Sequence, residues 1–260
     1  RSGDIYIVGY SEATWGNPIR PYGGGDTDAF VVKLNSSGTL QWMTFLGGSG
    51  ADEGRDIIVD EAECVYITGT SRTTWGNPIF AHGGSADAFA AKLSPAGVLQ
   101  WNTFLGGTGS DQGYGLGLDG SSNIYLTGTS GTSWGSPIRP FGGGGADAFA
   151  AKLNANGALL WNSFLGSDQV DYGNDLAVDS SGNALIAGSS ASTWGTPLLP
   201  FSGGFTDAFV SKVNTNGVLQ WNTFLGGSGD DYGAGIALGG PDDVCLTGSS
   251  SAGWGAPLQP

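Results

Sequence analysis

The 260-residue sequence predicts an all-β fold of the propeller class on three observations: a repeat of about 60 residues, four short apolar segments in each repeat, and turn residues bounding every segment. Trp-Gly recurs at Trp15, Trp75, Trp134, Trp194 and Trp254, at intervals of 60, 59, 60 and 60. Asp-Ala-Phe starts at Asp28, Asp87, Asp147 and Asp207, and a second tryptophan class falls at Trp42, Trp101, Trp161 and Trp221. The 9 Trp, 12 Phe and 8 Tyr can fill a core, which excludes a disordered polyelectrolyte, and the 49 glycines follow no three-residue period, which excludes a collagen.

Segment A covers 57–59, 116–118, 176–178 and 236–238, where large residues alternate with small ones such as Gly117 and Ala177, as a strand crowded on one face requires. Segment B, Ile5-Tyr6-Ile7-Val8-Gly9 and its copies, is apolar on both alternating faces and reads as a middle strand. Segment C is Asp28-Ala29-Phe30-Val31-Val32-Lys33-Leu34. Segment D, Leu40-Gln41-Trp42-Met43-Thr44-Phe45-Leu46, alternates apolar residues with Gln, Asn or Thr and reads as an outer strand with one wetter face. C and D are joined by four-residue links such as Asn35-Ser36-Ser37-Gly38, whose glycine suits the positive φ of a hairpin loop. A and B are joined by turns opened by Asp60, Asp119 and Asp179. The exception is the B–C link of about 18 residues, a length at which loops are ordered for a reason.

A 60-residue sheet that is apolar on both faces must stack on its neighbours, and radial stacking gives the propeller. A β-solenoid would use shorter repeats, and a β-sandwich would not need near-identical ones. The motifs Gly-Gly-x-Gly-x-Asp, Ile-Tyr-Leu-Thr-Gly, Asp-Ala-Phe-x-x-Lys-Leu and Gly-x-Leu-Gln-Trp resemble the bacterial SBBP beta-propeller repeat, a pattern related to NHL-type propellers. The resemblance implies a propeller in secreted or surface-attached bacterial proteins, and it implies no reaction.

Five B segments and four each of A, C and D make seventeen strands, one more than four blades need and three fewer than five. The expectation is therefore one repeat domain over 1–260 with four to five blades and incomplete end blades. Open end strands invite pairing with other copies. The start at Arg1-Ser2-Gly3, without methionine, reads as a mature or trimmed piece of a longer protein.

The net charge of −14 repels phosphate backbones and anionic headgroups, excluding nucleic acid as a partner. No apolar run approaches the roughly 18–20 residues of a membrane span, so no membrane insertion is expected, and no signal peptide is visible. Cys64 and Cys245 lack metal-ligand spacing and read as small, unbridged core residues.

Catalysis needs residues that the repeat does not repeat. The single histidine, His82, occupies the position of Tyr22, Phe141 and Phe201, so it reads as a ring-shaped loop plug. Glu12, Glu53, Glu61 and Glu63 have no partner in sequence, and no nucleophile elbow, phosphate loop or His-Glu-x-x-His motif is present. Asp52, Asp111, Asp171 and Asp231 follow glycine-rich stretches that resemble calcium-binding nonapeptides. One copy per 60 residues instead suits an Asp that bonds backbone amides, so no cofactor is expected, with calcium the one metal left open. Asp28 and Lys33, with their copies, point to opposite faces and serve contacts between strands.

The B–C loops are the candidate ligand-binding elements: Trp15, Trp75, Trp134, Trp194 and Trp254 beside variable tips, Arg20, Phe80, Arg139, Leu199 and Gln259. The leading expectation is a non-enzymatic extracellular or cell-surface binding module, its partner a glycan or protein held by these loops, with Arg20 and Arg139 contributing. The plainer reading is that each Trp pins its own loop. The rivals are a structural subunit of an array or filament joined through open blade edges, and a secreted enzyme using Asp56 and Asp175 on the inner strands.

Overall fold

The computed structural model describes residues 3–240 and 243–255, so Gln259 lies outside the described residues. Seventeen strands and no helix occur among them. The first sheet holds β1 (Ile5–Ser11), β2 (Asp28–Leu34) and β3 (Leu40–Leu46). The next holds β4 (Asp52–Val59), β5 (Val65–Ser71), β6 (Asp87–Leu93) and β7 (Leu99–Leu105). Then come β8 (Asp111–Leu118), β9 (Ile124–Ser130), β10 (Asp147–Leu153) and β11 (Leu159–Leu165), and β12 (Asp171–Val178), β13 (Ala184–Ser190), β14 (Asp207–Val213) and β15 (Leu219–Leu225). The last sheet pairs β16 (Asp231–Leu238) with β17 (Val244–Ser250). Each four-stranded sheet runs A, B, C, D in chain order, giving the blade-like antiparallel units of a propeller.

Local chemistry sets the turns. Asp119 Oδ1 accepts the amides of Ser121 and Asn123, each at 2.9 Å, and Asp179 Oδ1 does the same for Ser181 and Asn183. The residue before the last of each turn is left-handed: Glu63 at φ 59°, Ser122 at 59°, Gly182 at 78°. Gly38, Gly97, Gly157 and Gly217 take φ of 78–81° in the C–D turns, as their spacing predicts.

The chain divides into two compact units, residues 1–116 with 156–158, and residues 117–155 with 159–260. In the first, Val31 and Leu46 pack with Val65, Ile67, Phe89 and Phe104, and Val8 and Trp42 close over them. In the second, Tyr125, Trp161 and Leu165 pack with Ile186, Phe209 and Phe224, and a further cluster joins Leu185 and Val210 to Ile236 and Leu246. The core of each unit thus lies between facing sheets, while the end strands β1 and β17 leave apolar side chains such as Ile5, Ile7 and Val244 exposed.

Three sequence expectations need correction. The A strands are eight residues long and begin at the crossover aspartates, because the amides of Asp52, Asp111, Asp171 and Asp231 bond the carbonyls of Thr27, Ala86, Ala146 and Thr206 at 2.7–2.8 Å. The D strands have no wet face at Thr44, Asn102, Thr103, Asn162, Ser163 or Asn222, all of which are buried. Cys245 is no core residue, since β17 is exposed along most of its length; Cys64 is half-buried, and both thiols are free.

Candidate functional site

The B–C loops span 12–27, 72–86, 131–146 and 191–206, somewhat shorter than expected because the B strands run on to Ser11, Ser71, Ser130 and Ser190. Each folds back along its own D strand. Ile79 N–H donates to Asn102 O at 2.9 Å and Phe104 N–H to Phe80 O at 3.2 Å. Ile138 N–H and Asn162 O, then Phe164 N–H and Arg139 O, repeat the pattern at 2.9 and 3.0 Å, and Leu198 and Leu199 repeat it on β15. The loop thereby occupies hydrogen-bonding groups that an outer strand would expose, which protects the sheet edge. It also buries the polar D residues: Asn102, Asn162 and Asn222 each donate Nδ2–H to a loop tryptophan carbonyl at 2.8–2.9 Å.

This geometry turns three of the five candidate indoles inward. Trp75, Trp134 and Trp194 are 4, 7 and 4 % exposed. Trp75 meets Phe89 and Phe104 edge-on with centroids at 5.3 and 5.8 Å, and donates Nε1–H to Ser71 Oγ at 3.2 Å; Trp134 donates to Ser130 Oγ at 3.1 Å. The rings are loop pins with no free face to offer a ligand. Trp15 and Trp254 are 41 and 43 % exposed.

Arg20 and Arg139 also serve the fold. Arg139 forks onto Phe164 O and Gly166 O at 2.8 and 2.9 Å while its guanidinium lies 5.1 Å from the Trp194 ring centre. Arg20 clasps Phe45 O and Gly47 O at 3.0 and 2.8 Å and lies over Trp75 at 5.5 Å. His82 stacks edge-on against Phe104 at 5.4 Å, as Tyr22, Phe141 and Phe201 do against Phe45, Phe164 and Phe224.

Asp56 and Asp175 act as latches between neighbouring inner strands. Asp56 Oδ2 accepts Leu116 N–H at 2.7 Å, and Asp175 Oδ2 accepts Ile236 N–H at 2.8 Å. Aspartate stands in β4 and β12 where β8 and β16 have Gly115 and Gly235. Lys152 and Lys212 reach Asp119 and Asp179 at 3.2 and 2.9 Å, and Lys33 reaches Asp4 and Glu63 at 3.1 and 2.9 Å, so the C-strand lysines brace the A–B turns.

Sequence reasoning treated the C-strand and crossover aspartates separately, and the fold brings them together. Asp28 with Asp52, Asp87 with Asp111, Asp147 with Asp171 and Asp207 with Asp231 are buried pairs, no member more than 2 % exposed. Each pair flanks a glycine: a Cβ on Gly166 would stand 2.6 Å from Asp171 Oδ2 and 3.0 Å from Asp147 Cγ. The recurrence of Gly47, Gly106, Gly166 and Gly226 directly after the D strands was the available signal. Backbone amides hold these carboxylates, by one oxygen as from Gly142 to Asp147 at 2.5 Å and from Ser167 to Asp171 at 2.7 Å, and by both at Asp87, from Gly83 and Gly84 at 2.8 and 3.1 Å. Burial pushes the Asp147 carboxyl up to about 7 and Asp28 and Asp171 to about 6, and it also raises Asp52 and Asp87. Among the described residues, no three acidic, His or Cys side chains gather as a metal cluster.

A set of exposed apolar side chains lies on the same loops. Ile19, Ile79, Ile138 and Leu198 are 42–70 % exposed, and in the loop 191–206 Leu199 and Phe205 join Leu198 at 55 and 83 %. In the first unit, a cleft of about 700 Å³ lies between Asp4 and Tyr6 on one side and Ile57, Asp60, Glu61 and Glu63 on the other.

The SBBP family, described as a beta-propeller repeat, matches residues 100–135 and 165–193. The uncharacterized WD repeat-containing protein L264 of Acanthamoeba polyphaga mimivirus is 30 % identical over 105 residues, 36 % of this chain and 8 % of that protein. Regulatory protein FlaEY of Caulobacter vibrioides is 29 % identical over 184 residues, 67 % of this chain and 19 % of its own length. The chain thus spans under a fifth of either relative. Among solved structures, a gluconolactonase from Xanthomonas campestris aligns over 85 % of this chain and 65 % of its own at 15 % identity and a TM-score of 0.44.

Proposed function

We propose, from the premise that this chain carries beta-propeller repeats of the SBBP family, that it is a non-catalytic scaffold at or outside the cell surface that docks a protein partner through its B–C loops. One observation carries the reading. The repeated Trp, Arg, Asp and Lys side chains are largely spent on the fold, while Leu198, Leu199 and Phe205 stand 55–83 % exposed within one eight-residue stretch. Large apolar side chains clustered on a solvated loop are the usual mark of a binding surface. The net charge of −14, with Asp230 accepting the Phe205 amide at 2.7 Å beside the cluster, fits a partner with an apolar centre and a basic rim.

Panning a random peptide library against the full chain tests this. Selected peptides should combine Lys or Arg with aliphatic or aromatic residues, and should lose at least tenfold in affinity for a Leu198→Ser, Leu199→Ser, Phe205→Ser variant. Peptides that bind that variant equally well would remove the loop as the site. A glycan array run with Trp15→Ala alongside separates a sugar-binding role: a glycan retained by the parent chain and lost by the variant would replace the protein partner with a carbohydrate.

A second reading rests on β1 and β17, each paired on one side only among the described residues, with Ile5 and Ile7 of β1 46 and 42 % exposed. Copies joined through such edges would form the array or filament subunit. Sedimentation at increasing concentration decides it: a constant monomer mass removes this role.

A further inference from the structure

The second unit holds two of the carboxylate pairs, Asp147 with Asp171 and Asp207 with Asp231, and neither has a histidine against it. The backbone forces the members together. Asp171 N–H donates to the carbonyl of Ala146, the residue before Asp147, at 2.8 Å, and Asp231 N–H donates to the carbonyl of Thr206, the residue before Asp207, at 2.8 Å. Both carboxyls then close over the bare face of one glycine, Gly166 or Gly226.

The hydrogen-bond supply falls short of what two carboxylates need. Asp147 Oδ2 takes the Gly142 amide, and Asp207 Oδ2 takes the Ser202 amide and hydroxyl at 2.6 and 2.7 Å. Asp147 Oδ1 and Asp207 Oδ1 are buried and meet no donor among the described residues, and both side chains are wholly buried. The positive charge facing the first pair is Arg139, whose guanidinium is spent on two carbonyls and the Trp194 ring. The second pair has Leu199 at the position of Arg139. A buried acceptor with no donor, facing a second anion, is costly on both counts. A single proton removes both costs, since it cancels one charge and turns the orphaned oxygen into a donor, the arrangement adopted by other close carboxyl dyads.

We propose that the Asp147/Asp171 pair holds a proton in the folded chain, which makes the repeat that carries it most stable in mildly acidic surroundings and loosens it as the medium becomes neutral to alkaline. Burial, which raises both the Asp147 and the Asp171 carboxyl, supports it. A carboxyl that rises from 3.8 to about 7 on folding binds its extra proton only in the folded state over that window. Its contribution is therefore present at low pH and is lost as pH climbs through about 7.

Thermal melts of the whole 260-residue chain from pH 4.5 to 8.5 test the inference. The midpoint should fall by roughly 5 °C or more between pH 5 and 8, a size set by the few degrees each kcal/mol moves a chain this long. Asp147→Asn and Asp171→Asn, which supply a fixed amide donor, should flatten that slope and raise the midpoint at pH 8. Asp26→Asn, which removes the same charge from an exposed loop position, should leave the slope unchanged. A midpoint flat or rising from pH 5 to 8, or an Asp26→Asn effect as large as that of the buried variants, would overturn the idea. Should the Asn variants not fold, carbon-detected titration of the Asp carboxyls in the parent chain replaces them: two or more should titrate above pH 5, and titration of all of them below pH 5 rejects the proposal. A melt at pH 8 with calcium that recovers the acidic midpoint would also reject it, assigning the pairs to a metal ion.

Discussion

At the level of single residues, this repeat spends its unusual chemistry on turns. Ser122 adopts a left-handed φ of 59° where Gly182 does the same job in the next repeat. A side chain there is strained, so Ser122→Gly should raise stability by about 0.5–1 kcal/mol, read as a higher urea midpoint at unchanged slope. An unchanged or lower midpoint would show that the turn bears no strain. Asp179 illustrates the opposite electrostatics to the buried pairs. Burial raises its carboxyl, but the Asn183 side chain, the turn amides and Lys212 outweigh that and hold it at about 2. Its folded value lies below its free value of 3.8, so its contribution is present above pH 3.8 and is lost as pH falls through about 2. Asp179→Ala should cost about 1 kcal/mol at pH 7, from the lost turn bonds, and progressively less toward pH 2 in a melt series. An equal cost at both extremes would mean the charge is irrelevant.

Among the elements, the B–C loop is the one whose role the structure redefines. Loops of this length suggested ligand handling or a Trp-pinned loop; each of the four covers the edge of its own sheet with two backbone bonds, and Trp75, Trp134 and Trp194 pin three of them. The Arg20 and Arg139 clamps are one solution among several, because Phe80 and Leu199 fill the same position in the other repeats. Arg139→Leu is accordingly expected to cost under about 1.5 kcal/mol in chemical denaturation, within the range of tolerated packing changes. Gly166→Ala is a harsher change, since the new methyl would meet two buried carboxyls at 2.6 and 3.0 Å. It should cost roughly 2–3 kcal/mol in chemical denaturation, the upper range for overpacking, and a neutral outcome would mean that the carboxyls at the junction yield to a methyl group.

Over the whole molecule, 23 acidic against 9 basic residues leave a self-repelling chain. Raising NaCl from 10 to 200 mM at pH 7 should therefore lift the melting midpoint, because screening weakens repulsion between exposed carboxylates. A drop with salt would instead place the lysine–aspartate pairs at the A–B turns in control.

The sequence by itself determined the repeat, the four strands in each, their antiparallel order and the turn chemistry, because these rest on local periodicity and on residues such as Asp119 and Gly38 that act within a few positions of themselves. It also identified the histidine as a ring filler, from its alignment with Tyr22, Phe141 and Phe201. Only the tertiary structure decided which way the indoles of Trp75, Trp134 and Trp194 face, what covers Asn102 on its outer strand, and that Asp147 and Asp171, 24 positions apart, share one buried junction. Such facts depend on which surfaces meet when sheets stack and loops fold back, and a repeat pattern fixes the parts without fixing what each part is pressed against.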